Sequence, residues 1–165
     1  MIHLYWGEGK GKTTAAIGLA LRALGHGRRV SVVQFLKDGT SGEIAPLREL
    51  GAAVYTCAEA KFTWQMDKEE RSLARERFTE LLSAALREPV DLLVLDEACA
   101  ACEAGLLDAE VLRAAVLRAA KQAEVVLTGR VPMDWMLKSA DYITEMRACR
   151  HPYERGIAAR AGIEY

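Results

Sequence analysis

A glycine-rich segment near the start of the chain, GEGKGKT at residues 7–13, has the residue types that bind phosphate. The Walker A pattern is G-x-x-x-x-G-K-[ST], and its first glycine, counted back from Gly11, would fall on Trp6. The nearest glycine is Gly7, so this loop is one residue shorter than the pattern. Glycines let a backbone turn several N–H groups toward an anion. The segment therefore predicts a phosphate-binding loop of unusual length.

The side chains of this loop suggest which residues would bind a nucleotide and which would bind a metal ion. Lys12 supplies a positive charge and is a predicted catalytic residue, and the Thr13 hydroxyl is expected to bind a magnesium ion that bridges phosphate oxygens. A helix that starts near Thr13 adds the positive end of its dipole. The alternative is a tight turn whose glycines have only a steric role, but a strand before and a helix after the loop favour phosphate binding. The residues predicted to bind the nucleotide here are Gly7, Glu8, Gly9, Lys10, Gly11, Lys12, Thr13 and Thr14.

Two acids, Asp96 and Glu97, end the apolar segment LLVLDE. In a P-loop fold this is the Walker B position, where a carboxylate faces the magnesium. One of the two would reach the metal directly and the other through water, and the sequence leaves both assignments open. The alternative is a pair of solvated acids that cap the next helix.

Arg130 follows another predicted buried strand, in the segment LTGR at residues 127–130. Ligands of open α/β sheets bind at the carboxyl ends of the strands, so we expect Arg130 to meet phosphate or a substrate carboxylate. The alternative is a surface salt bridge.

Two aromatic residues, Phe62 and Trp64, lie two positions apart in a predicted loop. In an extended segment both side chains would project on the same side, where they could form a platform for a flat ligand. They could equally pack into the core beneath the loop. A Cys-x-x-Cys pair, Cys99 and Cys102, enters an apolar helix, which favours buried structural thiols over a metal or redox site.

Strand and helix patterns alternate along the chain, which predicts an α/β fold with a mainly parallel sheet of about six strands. With the glycine loop in place, we expect the P-loop NTPase-like (RecA-like) three-layer architecture, in a single domain over residues 1–165. The capping box of Asp67 and Glu70 begins one of the helices. The predicted strands are 2–6, 30–35, 52–56, 91–97, 124–129 and 141–146, and the predicted helices are 13–24, 43–50, 67–86 and 108–123.

The composition sets the class of protein. The chain has 165 residues, of which 51% are hydrophobic and 27% charged, with a formal net charge of -1. That balance is typical of a soluble globular protein and argues against a general nucleic-acid binder. No apolar run approaches the roughly 18 residues of a membrane span, and the first strand leaves no room for a signal peptide. We therefore expect a cytoplasmic protein, with neither nucleic acid nor membrane as a partner.

Several segments together resemble the corrinoid adenosyltransferases, which act on cob(I)alamin and related cobalt corrinoids. The resemblance covers nearly the whole chain, and the short loop combined with FTW and the carboxyl-terminal tail is its specific signature. In chain order, these segments are 7–37, Gly42-Glu43, FTW at 62–64, LDE at 95–97, LTGR at 127–130, Ala140-Asp141 with Glu145, and RHPYERGIAARAGIEY at 150–165.

The resemblance implies a reaction at carbon and not at phosphorus. In that family Co(I) of a reduced corrinoid attacks the 5′ carbon of ATP, giving an adenosylated corrinoid and triphosphate in cobalamin biosynthesis or salvage. Lys12 and magnesium would then neutralise the leaving triphosphate. Thr13 and Glu97 would serve the magnesium, with Asp96 nearby.

The resemblance also implies roles outside the loop. Phe62 and Trp64 would pack against the lower face of the corrin and act catalytically, by keeping the lower axial ligand off cobalt and so easing its reduction. A flavoprotein reductant and a homodimer are implied as well. This chain departs from the family at Glu8, where Asn is frequent, and it begins at the first strand, where relatives carry an extension.

Two other functions remain open from the residues themselves. An ordinary P-loop kinase or NTPase would use Thr13 and Asp96 to hold magnesium for attack at the γ-phosphate, and would release ADP. A non-catalytic binding module would dock a partner through Phe62, Trp64 and the basic tail, and would bind nucleotide without turnover.

Overall fold

The computed structural model describes residues 1–57 and 66–164. Within those residues, six strands form one sheet. The strands are β1 (Ile2–Trp6), β2 (Val30–Gln34), β3 (Ala53–Thr56), β4 (Leu92–Asp96), β5 (Glu124–Gly129) and β6 (Tyr142–Glu145). Their order across the sheet is β3-β2-β4-β5-β1-β6, and each neighbouring pair is parallel. The prediction of an α/β fold with a parallel sheet of about six strands is confirmed.

The connections between the strands are helical, as parallel pairing requires. The helices are α1 (Lys12–Gly25), α2 (Ile44–Glu49), α3 (Lys68–Ala85), α4 (Ala98–Glu103), α5 (Ala109–Ala119) and α6 (Asp134–Ser139), followed by a 3-10 turn at Pro152–Arg155. The predicted capping box is present at the start of α3, where Asp67 Oδ1 accepts from the Glu70 N–H at 2.8 Å. Helix α5 ends at Ala119, so the predicted end at residue 123 was wrong by four positions. No helix among the described residues is long and apolar enough to cross a membrane.

Both faces of the sheet are covered, which produces three layers. Successive side chains of a strand point to opposite faces, and along β4 Leu93 and Leu95 join one core cluster while Val94 joins the other. The first cluster includes Phe78 from α3, and the second includes the fully buried Ala16 from α1. Strand β4 is buried along its whole length, as the apolar run predicted, whereas β6 is exposed along its length at the sheet edge.

The topology brings distant parts of the chain to one edge of the sheet. Because all the strands are parallel, their carboxyl ends meet at the same edge, and the loop that precedes α1 lies there. Strand β4 is separated from β1 by β5 alone, and β2 pairs with β4 on the other side. Residues that follow β1, β2, β4 and β5 can therefore contact each other.

Candidate active site

Close backbone packing explains the first two glycines of the loop. A Cβ added at Gly7 would lie 2.5 Å from the carbonyl oxygen of Met146, and one added at Gly9 would lie 2.7 Å from the same atom. The Gly9 N–H donates to that oxygen at 2.7 Å, and the Gly7 N–H donates to the carbonyl oxygen of Arg130 at 3.1 Å. The steric alternative therefore holds for these two glycines, since their N–H groups are engaged within the protein.

The amino terminus of α1 is the part of the loop open to an anion. Gly11 precedes it with φ of 111°, a conformation that a residue with a side chain rarely adopts. No side chain caps this terminus, and no acid lies in the first turn. The N–H groups of the first turn and the positive end of the helix dipole are thus unopposed. Thr14 is exposed on this turn, and Lys10 is exposed just before it.

Lys12 bridges the loop. Its Nζ donates to the carbonyl oxygen of Gly7 at 2.7 Å and to that of Gly9 at 2.8 Å. An ammonium group has three N–H donors, so one is left for a ligand. Burial lowers the pKa of Lys12, and the charge of Glu97 opposes that effect.

Asp96 is the centre of a buried network that joins four strand ends. Its Oδ1 accepts from the Thr13 hydroxyl at 2.9 Å and from the Thr128 hydroxyl at 2.7 Å. Its Oδ2 lies 2.9 Å from Lys37 Nζ and 3.4 Å from Gln34 Nε2. The carboxylate is fully buried. Asp96 and Thr13, predicted from separate motifs, are therefore in direct contact.

Glu97 lies beside this network with its carboxylate unengaged. Its φ is 59°, in the left-handed region, and its N–H donates to the Thr128 hydroxyl at 2.9 Å. Burial raises its pKa, and the neighbouring charge of Asp96 raises it further. Within the part of the chain that the structure describes, its carboxylate makes no hydrogen bond or ion pair. Asp96 thus holds the Thr13 hydroxyl, and Glu97 keeps free acceptor oxygens.

Sequence reasoning missed three residues of this network: Gln34, Lys37 and Glu43. Gln34 Nε2 donates to Glu43 Oε1 at 2.6 Å, and Lys37 Nζ lies 3.4 Å from the same oxygen. Burial lowers the pKa of Lys37, but the charges and hydrogen bonds of Asp96 and Glu43 outweigh it, and the pKa is raised. The sequence feature that could have indicated this network is Gln34, a polar amide at the end of a fully buried strand.

The donor set at this edge fits a magnesium ion. The carboxylates of Glu43, Asp96 and Glu97 lie near the ammonium groups of two lysines, Lys12 and Lys37. When all three acids are ionised, these five groups carry one negative charge in excess. Gln34 Oε1 is buried and has no hydrogen-bond partner among the described residues, and it is an acceptor suited to a metal-bound water. Magnesium is usually held by one or two carboxylates plus phosphate oxygens and water. Residues 1–57 and 66–164 contain no group of three or more His, Cys, Asp and Glu side chains that could hold a metal ion.

Arg130 lies next to the loop and pairs with Glu8. Arg130 Nη1 is 3.7 Å from Glu8 Oε2, and the two side chains are 70% and 65% exposed. The alternative of a surface salt bridge is thus present, and contact of Arg130 with phosphate stays a prediction. An exposed pair of this kind contributes little energy, so it does not prevent Arg130 from contacting a ligand.

The Cys-x-x-Cys pair is structural in the described part of the chain. Cys99 and Cys102 are buried, and burial raises their pKa values to about 12 and about 11. Cys99 Sγ donates to Met136 Sδ at 3.6 Å. A Cβ added at Gly129 would lie 2.8 Å from Cys99 Sγ. Both thiols are buried side chains of α4, and Cys99 packs against the end of β5 and against Met136 of α6. The other predicted pair, Phe62 and Trp64, lies outside the described residues.

A parallel sheet with a glycine loop between its first strand and first helix, and an acid of β4 bonded to that loop, defines a P-loop nucleotide-binding protein. The model of the family "ATP:corrinoid adenosyltransferase BtuR/CobO/CobP" matches residues 1–165. The chain belongs to this family, and it is a transferase.

Individual relatives agree with the family match. A corrinoid adenosyltransferase of Pseudomonas aeruginosa is 37% identical over 169 residues, covering 100% of this chain and 83% of the relative. The corrinoid adenosyltransferase of Escherichia coli (strain K12) and the corrinoid adenosyltransferase CobA of Salmonella typhimurium are each 36% identical, covering 100% of this chain and 85% of theirs. Among solved structures, a KaiC-like protein of Pyrococcus horikoshii is similar over 99% of this chain and 66% of its own, with a TM-score of 0.47 and 16% identity.

Proposed function

We propose that residues 1–165 act as one adenosyltransferase domain that moves the 5′-deoxyadenosyl group of ATP to the cobalt of a reduced corrinoid. Co(I) donates an electron pair to the 5′ carbon and becomes Co(III) in the new cobalt–carbon bond. The bond from the 5′ carbon to oxygen breaks, and its electron pair leaves with inorganic triphosphate. The observation that carries the proposal is the contact between Thr13 and Asp96 at a shortened loop, in a chain that matches this family from end to end.

The loop would bind the triphosphate as a leaving group. Lys12 has one N–H donor left for a phosphate oxygen, and the free turn of α1 offers backbone N–H groups. Arg130 adds an exposed charge beside Gly7. Preorganised donors of this kind stabilise the charge that develops as the bond to oxygen breaks.

Magnesium would be held by Thr13 and Asp96, with Glu97 as a further acceptor. When bound, it would supply charge neutralisation to the triphosphate oxygens. The orphan acceptor of Gln34 and the unengaged carboxylate of Glu97 support this assignment.

The remaining parts of the proposal come from the family. Phe62 and Trp64 would pack against the corrin and keep the lower axial ligand off cobalt, which eases reduction to Co(I). A flavoprotein would supply the electron, and the enzyme would work as a cytoplasmic homodimer.

An anaerobic assay with ATP, magnesium and chemically reduced cob(I)alamin tests the reaction. We expect loss of the Co(I) absorbance, formation of a light-sensitive adenosylated product, and one triphosphate released per corrinoid. Lys12→Ala should abolish turnover, whereas Lys121→Ala, at the opposite edge of the sheet, should not. ADP as the product, or ATP consumption indifferent to the corrinoid, would exclude adenosyl transfer.

A second assay separates the reduction step from adenosyl transfer. Phe62→Ala and Trp64→Ala should lose activity when the assay starts from Co(II) and a reducing system. Both should retain most of it when the corrinoid is supplied as Co(I). Equal losses from both starting states would remove the proposed role of the aromatic pair in reduction.

A further inference from the structure

Among the described residues, the non-glycine positions with a strained backbone lie close to Asp96. Two non-glycine residues of the described chain have a positive φ: Leu36 at 41° and Glu97 at 59°. Leu36 follows β2 and directly precedes Lys37, while Glu97 directly follows Asp96 at the end of β4. A bulky residue in this region costs free energy and persists only where its surroundings hold it. The strain therefore points to a constraint on how Lys37 and Asp96 face each other.

Lys37 is the cation that neutralises Asp96 in this structure. Its Nζ lies 2.9 Å from Asp96 Oδ2, and the Asp96 side chain is 0% exposed, so this carboxylate has no compensation from water. The Lys37 side chain is 24% exposed, so its ammonium lies closer to solvent. A buried charge without a partner is strongly unfavourable, which explains why the chain places an ammonium group here.

A second carboxylate is already positioned to receive this ammonium group. Glu43 Oε1 lies 3.4 Å from Lys37 Nζ, and Gln34 holds that oxygen with a hydrogen bond of 2.6 Å. The lysine side chain is flexible and its ammonium donates in three directions. A small rotation would therefore keep Lys37 paired, with Glu43, when a metal ion takes its place at Asp96.

We propose that Lys37 is a built-in stand-in cation, which neutralises Asp96 until Mg²⁺ binds and then transfers its ion pair to Glu43. The inference rests on the proposed magnesium site at Thr13 and Asp96. An ammonium group at 2.9 Å from Asp96 Oδ2 and a divalent ion on the same carboxylate would repel each other, which favours displacement of the ammonium group when the metal binds. Lys37 is thus a positioning residue that sets the affinity for the metal, with Glu43 as its second partner.

Mn²⁺ binding to the nucleotide-free protein, followed by electron paramagnetic resonance, tests the exchange directly. If Lys37 occupies Asp96 for about nine-tenths of the time, Lys37→Met should tighten Mn²⁺ binding about tenfold, because the competing state is removed. The same variant should unfold at a lower temperature in EDTA and regain more stability than the wild type on addition of Mn²⁺. Lys121→Met, at the opposite edge of the sheet, is the matched control and should change neither measurement.

A double-mutant cycle separates exchange from a general effect of charge. Glu43→Gln should weaken Mn²⁺ binding severalfold in the wild-type background, since Lys37 loses the partner that receives it. In the Lys37→Met background the same change should have a much smaller effect. Equal effects in both backgrounds, or no tightening in Lys37→Met, would overturn the exchange.

Three further outcomes keep the test decisive. If Lys37→Met does not fold, Glu43→Gln alone decides, and unchanged Mn²⁺ binding in that variant overturns the proposal. A wild-type chain that makes adenosylated corrinoid while Lys37→Met binds Mn²⁺ no more tightly refutes the role of Lys37 only. A wild-type chain that binds no Mn²⁺, with or without ATP, removes both the magnesium site and the exchange.

Discussion

Replacing Asp96 with asparagine would test the buried network on which the candidate active site depends. The substitution keeps the size of the side chain and removes its charge. An amide oxygen in place of Oδ1 can still accept from the hydroxyls of Thr13 and Thr128, which lie at 2.9 Å and 2.7 Å. The amide nitrogen then takes the place of Oδ2, where it faces the donors of Lys37 and Gln34. Asp96→Asn therefore leaves an ammonium group in a half-buried site without its main partner.

The magnitude follows from the burial of the pair. Removing one partner of a buried ion pair costs about 3–5 kcal/mol. Glu43 remains 3.4 Å from Lys37 Nζ and offsets part of the loss, so we expect the lower end, about 3 kcal/mol. With a urea dependence of about 2 kcal/mol per molar, the midpoint of unfolding should fall by about 1.5 M.

Urea unfolding followed by circular dichroism measures this change. Asp108→Asn is the matched control, because Asp108 caps α5 through two backbone N–H groups and asparagine caps equally well. The control should unfold at the wild-type midpoint. An Asp96→Asn protein within about 0.5 kcal/mol of the wild type would refute the reasoning that Lys37 depends on this carboxylate.

Four further predictions concern the loop and the thiols. Gly9→Ala should destabilise the chain by about 1–3 kcal/mol and weaken ATP binding, because its methyl group would lie 2.7 Å from a backbone carbonyl oxygen. Glu8→Gln should tighten ATP binding by roughly two- to fivefold in calorimetry, because a carboxylate beside the triphosphate is removed and Arg130 loses its exposed partner. A thiol reagent at about pH 8 should react rapidly with the exposed Cys149 and slowly with the buried thiols. Stability should also fall as the pH rises above 9.0, because burial raises the pKa of Cys99 to about 12 and only the unfolded chain then loses that proton.

Each of these has a clear contrary result. Wild-type stability in Gly9→Ala would show that the loop does not pack against the segment after β6 as described. Unchanged or weaker ATP binding in Glu8→Gln, with Glu110→Gln on α5 as the control, would place the triphosphate away from Glu8. Rapid reaction of more than one thiol in the folded chain, or a flat stability profile above pH 9.0, would contradict the burial of Cys99.

Much of the fold could be read from local patterns. The six predicted strands are all present, and those at residues 2–6 and 124–129 have the predicted bounds. Helix α6 was not predicted, because its six residues, DWMLKS, are too few to display a helical period. The end of α5 was predicted too late, because the apolar pattern of the helix continues past Ala119 into the turn that follows it.

The candidate site, like the fold, was predicted only where its residues lie close together in the chain. The loop and the acid pair are short motifs whose residues are neighbours in the chain, so their spacing alone predicted them. The exposed ion pair of Glu8 with Arg130 and the network of Gln34, Lys37 and Glu43 join residues from separate segments. No local pattern in the sequence indicates such contacts.

The sequence by itself determined the order of strands and helices along the chain, the short phosphate loop, and the two acids after the buried strand. Each of these depends on periodicity or spacing within a few residues. The tertiary structure alone decided that β2 lies beside β4, which places Lys37 on Asp96. It also decided that Gly7 and Gly9 use their N–H groups for packing. The physical reason is that the order of strands across the sheet and the close approach of two backbone segments arise from packing between distant parts of the chain. Such packing leaves no signature in the local pattern of residues.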